Sequence, residues 1–194
     1  KLDFMVGLLS KALKATGNDN FRGVQVLLGE VVGWRNLFWS MTNAMAGAPD
    51  KWSGDAVLPN AQAASAYRIF STEAYPQIKA IIEKIVASGL IYLPSSTRDF
   101  ENPEIDKYLQ QYVRGSKGMG HIERIKIMKL LWDAIGTEFG GRHELYERNY
   151  AGNHELIRIS ALMNAKGTGA LNDMEALAEA CMNDYDEKGW IDTV

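Results

Sequence analysis

All five prolines of this 194-residue chain lie between Pro49 and Pro103. Proline breaks the interior of a helix, because it lacks an amide hydrogen and its ring collides with the preceding turn. The stretches on either side, residues 1–48 and 104–194, carry no such breaker. Both place apolar residues three and four positions apart, which is the spacing of an amphipathic helix. We therefore predict an all-α fold with no sheet beyond a short strand pair.

Two helices are predicted before the first proline. The first begins near Leu2 and ends at residues 16–18, where Gly17 suits the left-handed position that follows a helix. The second extends from about Phe21 to Ala46 and carries two neighbouring apolar stripes. At ~1.5 Å per residue this helix is roughly 40 Å long. A helix that is apolar over so much of its circumference is typical of the centre of a bundle, packed on two sides.

The proline-containing stretch predicts two shorter helices. Asn60 is a good N-cap for the first, which continues through Phe70. The second is expected to begin at residues 71–73, with Pro76 in its first turn, where no amide hydrogen is needed. Gly89 is expected to end it.

The rest of the chain is predicted to be helical apart from a flexible glycine-rich connection at residues 115–120. The predicted segments are a helix starting at Asn102–Pro103, His121–Ile135, a stretch after Gly136 that ends near Tyr150, His154–Met163 and Asn172–Asp186. The His121–Ile135 segment has Ile122, Ile125, Met128, Leu131 and Trp132 as its apolar face. We expect two or three long helices in an antiparallel bundle with smaller peripheral helices around them.

Composition excludes several classes of function. Lys and Arg number 21 and Asp and Glu number 24, a net charge of −3, so neither a nucleic acid nor an anionic membrane is predicted as a partner. No apolar stretch reaches the roughly 18 residues of a membrane span. Cys181 is the one cysteine, which excludes an internal disulfide or a multi-thiolate metal site. The first residues carry no signal-peptide pattern. We expect a cytoplasmic protein and a chain cut from a longer one.

The three histidines do not predict a metal site. His121, His143 and His154 form no pair at the spacing of an HExxH motif. The glycines at residues 115–120 do not follow a strand, so they do not constitute a dinucleotide-binding fingerprint.

Residues 136–143 are the more informative candidate. Three glycines and Thr137 interrupt an apolar helical pattern here, and each glycine costs helix stability. Free amides from Thr137 to Gly141, together with Arg142, suit a phosphate or pyrophosphate. The alternative is a kink where two helices cross, and the residues alone do not choose between the two.

Three other features have both a structural and a functional interpretation. Glu30 and Arg35 lie five positions apart in the most apolar helix, so we expect them to have separate partners. The aromatic run at residues 34–39 suits either a stacking platform or core packing. The loop containing Ser95 and Ser96 either faces a ligand or caps the next element.

Several long blocks of the sequence resemble the oxygenase component of the 4-hydroxyphenylacetate 3-monooxygenase family. These blocks are Phe21–Gln25, Gly29–Trp39, Ser88–Ser96, Tyr112–Ser116 and Trp132–Glu147. The resemblance is to the C-terminal helical domain of that family and extends over residues 1–194. It implies an acyl-CoA dehydrogenase-like helical bundle whose N-terminal helical domain and middle β-domain are not in this chain.

The resemblance also implies a function. Members are flavoprotein monooxygenases, oxidoreductases of aromatic hydrocarbon catabolism, that hydroxylate 4-hydroxyphenylacetate or a similar phenol to a catechol, ortho to the hydroxyl. A separate NAD(P)H:flavin reductase supplies FAD in its reduced form by diffusion. In this family the phenol is contacted by the N-terminal domain, so no catalytic residue is expected in this chain, which is expected to be inactive alone.

The expected role of the chain is to complete the flavin pocket and the interface of a homotetramer. The resemblance implies that cofactor-binding residues lie in two segments. They are Thr137, Glu138, Phe139, Gly140, Gly141 and Arg142 in the first and Ser95 and Ser96 in the second. Two alternatives stay open: a non-catalytic helical oligomerisation domain, and a flavoprotein like 4-hydroxybutyryl-CoA dehydratase, which needs an iron–sulfur cluster held by cysteines and a histidine.

Overall fold

The computed structural model describes residues 1–184. They form two compact units, Lys1–Gly152 and a second that begins at Asn153. The helices of the first unit are α1 (Leu2–Thr16), α2 (Arg22–Gly47), α3 (Ala61–Val86), α4 (Pro103–Tyr112), α5 (His121–Ile135) and α6 (Gly140–Tyr150), and those of the second are α7 (His154–Gly167) and α8 (Ala170–Asn183). Strands β1 (Asp50–Lys51) and β2 (Val57–Leu58) pair antiparallel, and 3-10 turns occupy Ala87–Leu90 and Thr97–Phe100.

The all-α prediction is confirmed for the part of the chain that the structure describes. More than half of all residues lie in α-helices, and the two-residue pair β1–β2 is the one sheet among residues 1–184. The last helix ends at Asn183, and the predicted end at Asp186 falls outside the described residues.

Helix α1 ends as predicted, and its end holds the glycine-rich loop in place. Gly17 adopts the left-handed conformation with φ of 77°. The amide of Ser116 donates to the Ala15 carbonyl at 2.8 Å, and the amide of Gly115 donates to the Met119 carbonyl at 2.9 Å. The connection at residues 115–120, predicted to be flexible, is thus a hydrogen-bonded turn.

Helices α2 and α3 form the antiparallel pair of the first unit. The Phe38 ring contacts the Tyr67 ring at 5.0 Å, and nearer the hairpin the amide of Asn60 donates to the Met45 carbonyl at 3.2 Å. Helix α2 also contacts α1. Its only buried residues are Val31, Phe38 and Met41, so the prediction of a central helix packed on two sides is not borne out. Part of its apolar surface stays exposed, including Phe21 just before it and Val26, which are 62% and 63% exposed.

Helix α3 corrects the prediction of two separate helices. Asn60 is the expected N-cap and accepts a hydrogen bond from the Ala63 amide at 2.9 Å, but the helix then continues past Pro76 to Val86. The hydroxyls of Ser71 and Thr72 donate to carbonyls three residues earlier and do not cap a new helix.

Packing explains why this helix stays continuous. A proline inside a helix costs about 3 kcal/mol. Four residues around Pro76 are apolar and buried, namely Ala74, Ile78, Ile81 and Ile82. Burying one isoleucine contributes about 1.5–3 kcal/mol, so their combined burial outweighs the defect. The helix ends at Val86, three residues before Gly89, where it was expected to end.

The core of the first unit lies among α1, α3 and α5. It includes Met5, Leu9 and Leu13 of α1, Ile78 and Ile82 of α3, and Met128, Leu131 and Ile135 of α5. The predicted bounds of α5 are confirmed. Its predicted apolar face is wrong in two positions, because Ile122 and Trp132 are each 42% exposed while Ile127 and Ile135 are buried.

The second unit is a pair of helices. Asn153 caps α7 by accepting hydrogen bonds from the amides of Glu155 and Leu156, and Gly169 precedes α8 in the left-handed conformation. Ile157 is the one buried hydrophobic residue within the described part of this unit.

Among residues 1–184, no helix combines the length and the hydrophobicity that a membrane crossing requires.

Candidate functional site

The segment predicted to bind a cofactor phosphate is the junction between α5 and α6. Helix α5 ends at Ile135, and α6 begins at Gly140. The Thr137 hydroxyl contacts the carbonyl oxygen of Asp133 at 2.9 Å and its carboxylate at 2.7 Å. The same hydroxyl accepts a hydrogen bond from the Gly140 amide at 3.2 Å. Thr137 therefore joins the end of one helix to the start of the next.

The amides of Gly140, Gly141 and Arg142 are engaged inside the chain. Besides the Gly140 amide, the amides of Gly141 and Arg142 donate to the Thr137 carbonyl at 2.9 and 3.3 Å. The prediction of free amides is thus wrong for Gly140 and Gly141. These two glycines are where the chain closely approaches itself: a Cβ atom at Gly140 would lie 1.8 Å from the Asp133 carbonyl oxygen. This geometry favours the helix kink that the sequence left as an alternative.

The side chains of Glu138, Phe139 and Arg142 at this junction are exposed to solvent. Phe139 is 78% exposed, and its ring stacks on His143 at 6.4 Å. Arg142 forms an ion pair with Glu138, and both side chains are more than 70% exposed. A ligand that reaches this junction therefore meets an aromatic ring, a guanidinium group and a carboxylate, and not the amides of the glycines.

In the second predicted segment, Ser95 and Ser96, local hydrogen bonds explain the role of one of the two serines. The Ser96 hydroxyl accepts a hydrogen bond from the Arg98 amide at 3.2 Å, and the Asp99 carboxylate accepts one from the Ser96 amide at 3.4 Å. Ser96 is thus the N-cap of a 3-10 turn, while Ser95 is exposed. Within residues 1–184, no hydrogen bond or ion pair joins either serine to Thr137–Arg142.

The first unit contains a cleft of about 480 Å³ that the sequence did not predict as a whole. It lies between the start of α1, the middle of α2, α3 and the inner face of α6. Its lining includes Lys1, Asp3, Arg35, Phe38, Trp39, Tyr67, Ser71, Tyr75, Glu144 and Arg148. The aromatic run at residues 34–39 was the one sequence signal for it, because its Arg35 and Trp39 are in the wall.

Arg35 organises one wall of this cleft. Its guanidinium lies 2.5 Å from the Asp3 carboxylate and 5.1 Å from the centre of the Trp39 ring. The hydrogen bond from Arg35 lowers the pKa of Asp3. Glu30 is exposed on α2, and a separate partner for it stays a prediction. Trp39 is 47% exposed, which contradicts core packing for this side chain.

Tyr75 and the ion pair between the buried Glu144 and the half-buried Arg148 form the opposite wall. The Tyr75 hydroxyl donates to the Ala134 carbonyl at 2.9 Å, and the Lys1 ammonium lies 4.9 Å from the centre of its ring. Burial, together with the nearby Glu144 carboxylate, raises the pKa of Tyr75 to about 12. Glu144 is buried and accepts a hydrogen bond from Arg148 at 2.9 Å.

Helix α6 separates the cleft from the predicted cofactor segment. Glu144 and Arg148 face the cleft, whereas Arg142, Tyr146 and Tyr150 line a shallow groove of about 420 Å³ elsewhere on the helix. Residues that are two positions apart in a helix project about 200° apart around its axis, so Arg142 and Glu144 lie on opposite sides of α6. In the part of the chain that the structure describes, no group of three or more His, Cys, Asp or Glu is placed to hold a metal ion.

Comparison with known proteins identifies the family. Residues 1–179 match the family model described as 4-hydroxyphenylacetate 3-hydroxylase C terminal. The 4-hydroxyphenylacetate 3-monooxygenase oxygenase component of Pseudomonas aeruginosa is 63% identical over 190 residues, which are 98% of this chain and 36% of that protein. The chain thus spans about a third of the length of this relative.

Solved structures agree with this result. A crystal structure of an oxygenase component of 4-hydroxyphenylacetate 3-monooxygenase, complexed with FAD and 4-hydroxyphenylacetate, superposes with a TM-score of 0.80 at 26% identity, over 94% of this chain and 38% of that one. An archaeal 4-hydroxybutyryl-CoA dehydratase from N. maritimus superposes with a TM-score of 0.78 at 19% identity, over 90% of this chain and 35% of that one, which shows a shared fold. The predicted acyl-CoA dehydrogenase-like helical bundle is confirmed. The chain belongs to the 4-hydroxyphenylacetate 3-hydroxylase family, and the part of the family that it represents is the C-terminal one.

Proposed function

We propose that this chain is the C-terminal helical domain of a two-component flavin-dependent aromatic hydroxylase. The complete protein hydroxylates 4-hydroxyphenylacetate or a similar phenol to a catechol, with FADH2 supplied by a separate NAD(P)H:flavin reductase. The observation that carries this proposal is the 63% identity to an oxygenase component over nearly the whole chain. The N-terminal helical and middle β-domains of the complete protein precede this chain, which is consistent with the third of the relative that it spans. Bound reduced FAD supplies the electrons for the reaction with oxygen.

The contribution of this chain is to bind and shield the flavin. The exposed Arg142 guanidinium fits a phosphate group, because it presents several donors in a planar fork. The exposed Phe139 ring fits a planar or apolar part of the cofactor. Thr137, Gly140 and Gly141 act by shaping the junction, since their hydrogen bonds lie within the chain. Glu138 holds Arg142, and the Ser95 and Ser96 hydroxyls remain able to donate to an oxygen of the cofactor.

The complete protein is also proposed to be a cytoplasmic homotetramer that uses helical surfaces of this domain. The exposed Phe21 and Val26 on and beside α2 support this, because assembly covers apolar side chains that are open to solvent. Light scattering of the full-length protein at micromolar concentration tests it. A strictly monomeric protein contradicts it.

One alternative rests on the shared fold with the archaeal dehydratase. Its identity to this chain is 19%, against 63% for the Pseudomonas oxygenase component, and this difference favours the hydroxylase. The other alternative, a non-catalytic oligomerisation domain, predicts a full-length protein that assembles but does not bind reduced FAD.

The deciding experiment uses the full-length protein with a separate flavin reductase. We expect catechol formation from 4-hydroxyphenylacetate, and weaker binding of reduced FAD in Arg142→Ala than in the control Arg22→Ala, which changes an exposed arginine at the start of α2. Loss of one charge-assisted hydrogen bond costs about 1.5–3 kcal/mol, or roughly ten- to a hundredfold in affinity. Equal affinity of both variants for reduced FAD shows that Arg142 does not contribute to flavin binding. Absence of any hydroxylation refutes the proposed activity.

A further inference from the structure

Helices α7 and α8 of the second unit leave most of their large apolar side chains uncovered. The unit extends over Asn153–Val194, and Ile157 is the one buried hydrophobic residue in its described part. Chains of roughly 40 residues usually need support from outside their own core to stay folded. This pair of helices therefore needs a further surface to pack against.

Helix α7 has an exposed apolar face. Leu156, Ile159 and Met163 are three and four positions apart, so they project from the same side of the helix, with Leu162 beside them. These four side chains are 45–62% exposed. The buried Ile157 projects at least about 100° away from each of them. The exposed face is thus distinct from the side through which α7 is already buried.

Helix α8 is more exposed still. Within Ala170–Asn183, its full extent, no residue is buried. Met174 and Leu177 are 62% and 68% exposed, and the exposed Ala178 continues the same apolar face. A helix of 14 residues is only marginally stable in water by itself. Contacts with another helix are therefore expected to stabilise α8.

The charges of the two helices are complementary. All charged residues of α8 are acidic: Asp173 and Glu175 flank its apolar face, and Glu179 lies on the far side. Helix α7 carries two cations, Arg158 and Lys166, and one acidic residue. Two α8 helices placed side by side would repel each other, whereas α8 of one copy matches α7 of another in charge.

The two faces together also have the area of one side of a stable interface. Their six large apolar side chains, at 45–68% exposure, present roughly 700 Å² per copy, close to the about 800 Å² that each partner contributes to an interface of standard size. Two-fold symmetry forms both contacts at once, because α8 of each copy then meets α7 of the other.

We propose that a second copy of this chain covers these faces, with α8 of each protomer packed along α7 of its partner about a two-fold axis. The inference rests on the homo-oligomer of the proposed function and names the helices that form one of its interfaces. A second copy is favoured over another domain of the same protein because the two faces match each other in charge and in area.

Photo-cross-linking in the full-length protein tests the proposal. Leu177→p-benzoylphenylalanine places a photoreactive ring on the apolar face of α8. Glu179→p-benzoylphenylalanine is the matched control, because this exposed position projects about 200° around the same helix. We expect the first variant to give a product of dimer mass on a denaturing gel, in which residue 177 is joined to the α7 peptide of the partner.

Three results overturn the proposal. One is a product of monomer mass, in which residue 177 is joined to another part of its own chain. Another is a dimer in which residue 177 is joined to a peptide other than α7. The third is an equal yield of the dimer from the two variants.

A second measurement covers the case in which the photoreactive ring disturbs the interface. Leu177→Arg places a charge on the apolar face and is expected to halve the molar mass that light scattering gives for the full-length protein at micromolar concentration. Glu179→Arg is expected to keep the parental mass, and equal masses in the two variants contradict the interface.

Neither measurement uses flavin or phenol. An oligomeric protein that hydroxylates phenols but gives no dimer-mass product refutes this inference alone. A cross-linked protein without hydroxylation refutes the proposed activity alone.

Discussion

Replacing Gly140 by alanine distinguishes the packing role of the α5–α6 junction from a ligand role. The φ angle of Gly140 is not positive, so alanine is compatible with the backbone there and the test is purely steric. The new Cβ would lie 1.8 Å from the Asp133 carbonyl oxygen and 2.9 Å from the Ala134 carbonyl carbon. Both are backbone atoms of α5, which cannot rotate away as a side chain does.

The expected cost follows from this geometry. Ordinary contact begins at 3.4 Å, so the start of α6 must move by about 1.6 Å. Overpacking of this kind costs about 1–3 kcal/mol. The movement also weakens the hydrogen bonds from the Gly140 and Gly141 amides to Thr137, each of which contributes about 0.5–1.5 kcal/mol. The gain in helix propensity from glycine to alanine is at most about 1 kcal/mol, so a net destabilisation of about 2–4 kcal/mol is expected.

Thermal unfolding of the full-length protein, followed by circular dichroism, measures this cost. For a domain of 150–250 residues, the size of this one, 1 kcal/mol corresponds to about 2–4 °C, so Gly140→Ala is expected to lower the midpoint of the unfolding step of this domain by about 4–16 °C. Gly7→Ala is the matched control, because Gly7 lies inside α1 and a Cβ there meets no atom within 4 Å. That variant is expected to be more stable by about 0.5–1 kcal/mol.

The two variants must therefore shift in opposite directions. If Gly140→Ala unfolds at the parental midpoint, the close approach between α5 and α6 is not what requires a glycine. A normal midpoint combined with weaker binding of reduced FAD would instead assign Gly140 to the cofactor.

Three further perturbations have defined outcomes. Asn60→Ala removes the cap of α3 and is expected to destabilise the protein by about 1 kcal/mol in the same melts; an unchanged midpoint contradicts this. The pKa of Tyr75 is about 12 in the fold against 10.0 for an ordinary tyrosine. The protonated Tyr75 therefore contributes stability that is fully present below pH 10 and is lost as the pH rises to 12. In Tyr75→Phe the free energy of unfolding should change less between pH 10 and 12, and a pH profile identical to that of the parent refutes the role of Tyr75. His121→Leu removes the 2.8 Å contact with Asp106 and should accelerate hydrogen exchange in α4, which has no buried residues, while exchange in α1 stays at the parental rate.

Local chemistry explains which elements were predicted correctly. The caps at Asn60 and Asn102 and the left-handed Gly17 involve hydrogen bonds within a few residues, so the sequence contains both partners. The bounds of α5 follow from two glycines that flank an apolar repeat. The blocks that resemble the hydroxylase family identified the fold and the family, because a resemblance over blocks this long is specific.

The continuity of α3 was decided by tertiary structure. Ser71, Thr72 and Pro76 together are typical of a helix start, and their local preferences predicted a break. The buried isoleucines that hold the helix together act only through their contacts with other helices. No local sequence pattern shows how deeply a residue is buried. The sequence alone therefore could not show that burial of the isoleucines outweighs the cost of a proline inside the helix.

The same reason applies to the candidate site. Sequence analysis selected residues 137–142 from their glycines and their arginine, but it could not tell that the amides of Gly140 and Gly141 bind Thr137 or that Asp133 occupies the space of a side chain at Gly140. The cleft as a whole could not be predicted from the sequence, because its lining comes from four helices spread between Lys1 and Ala151. Periodicity and capping set which segments of this chain are helical. Only the packing of those helices decided which side chains meet, because burial and steric exclusion depend on residues far apart in the sequence.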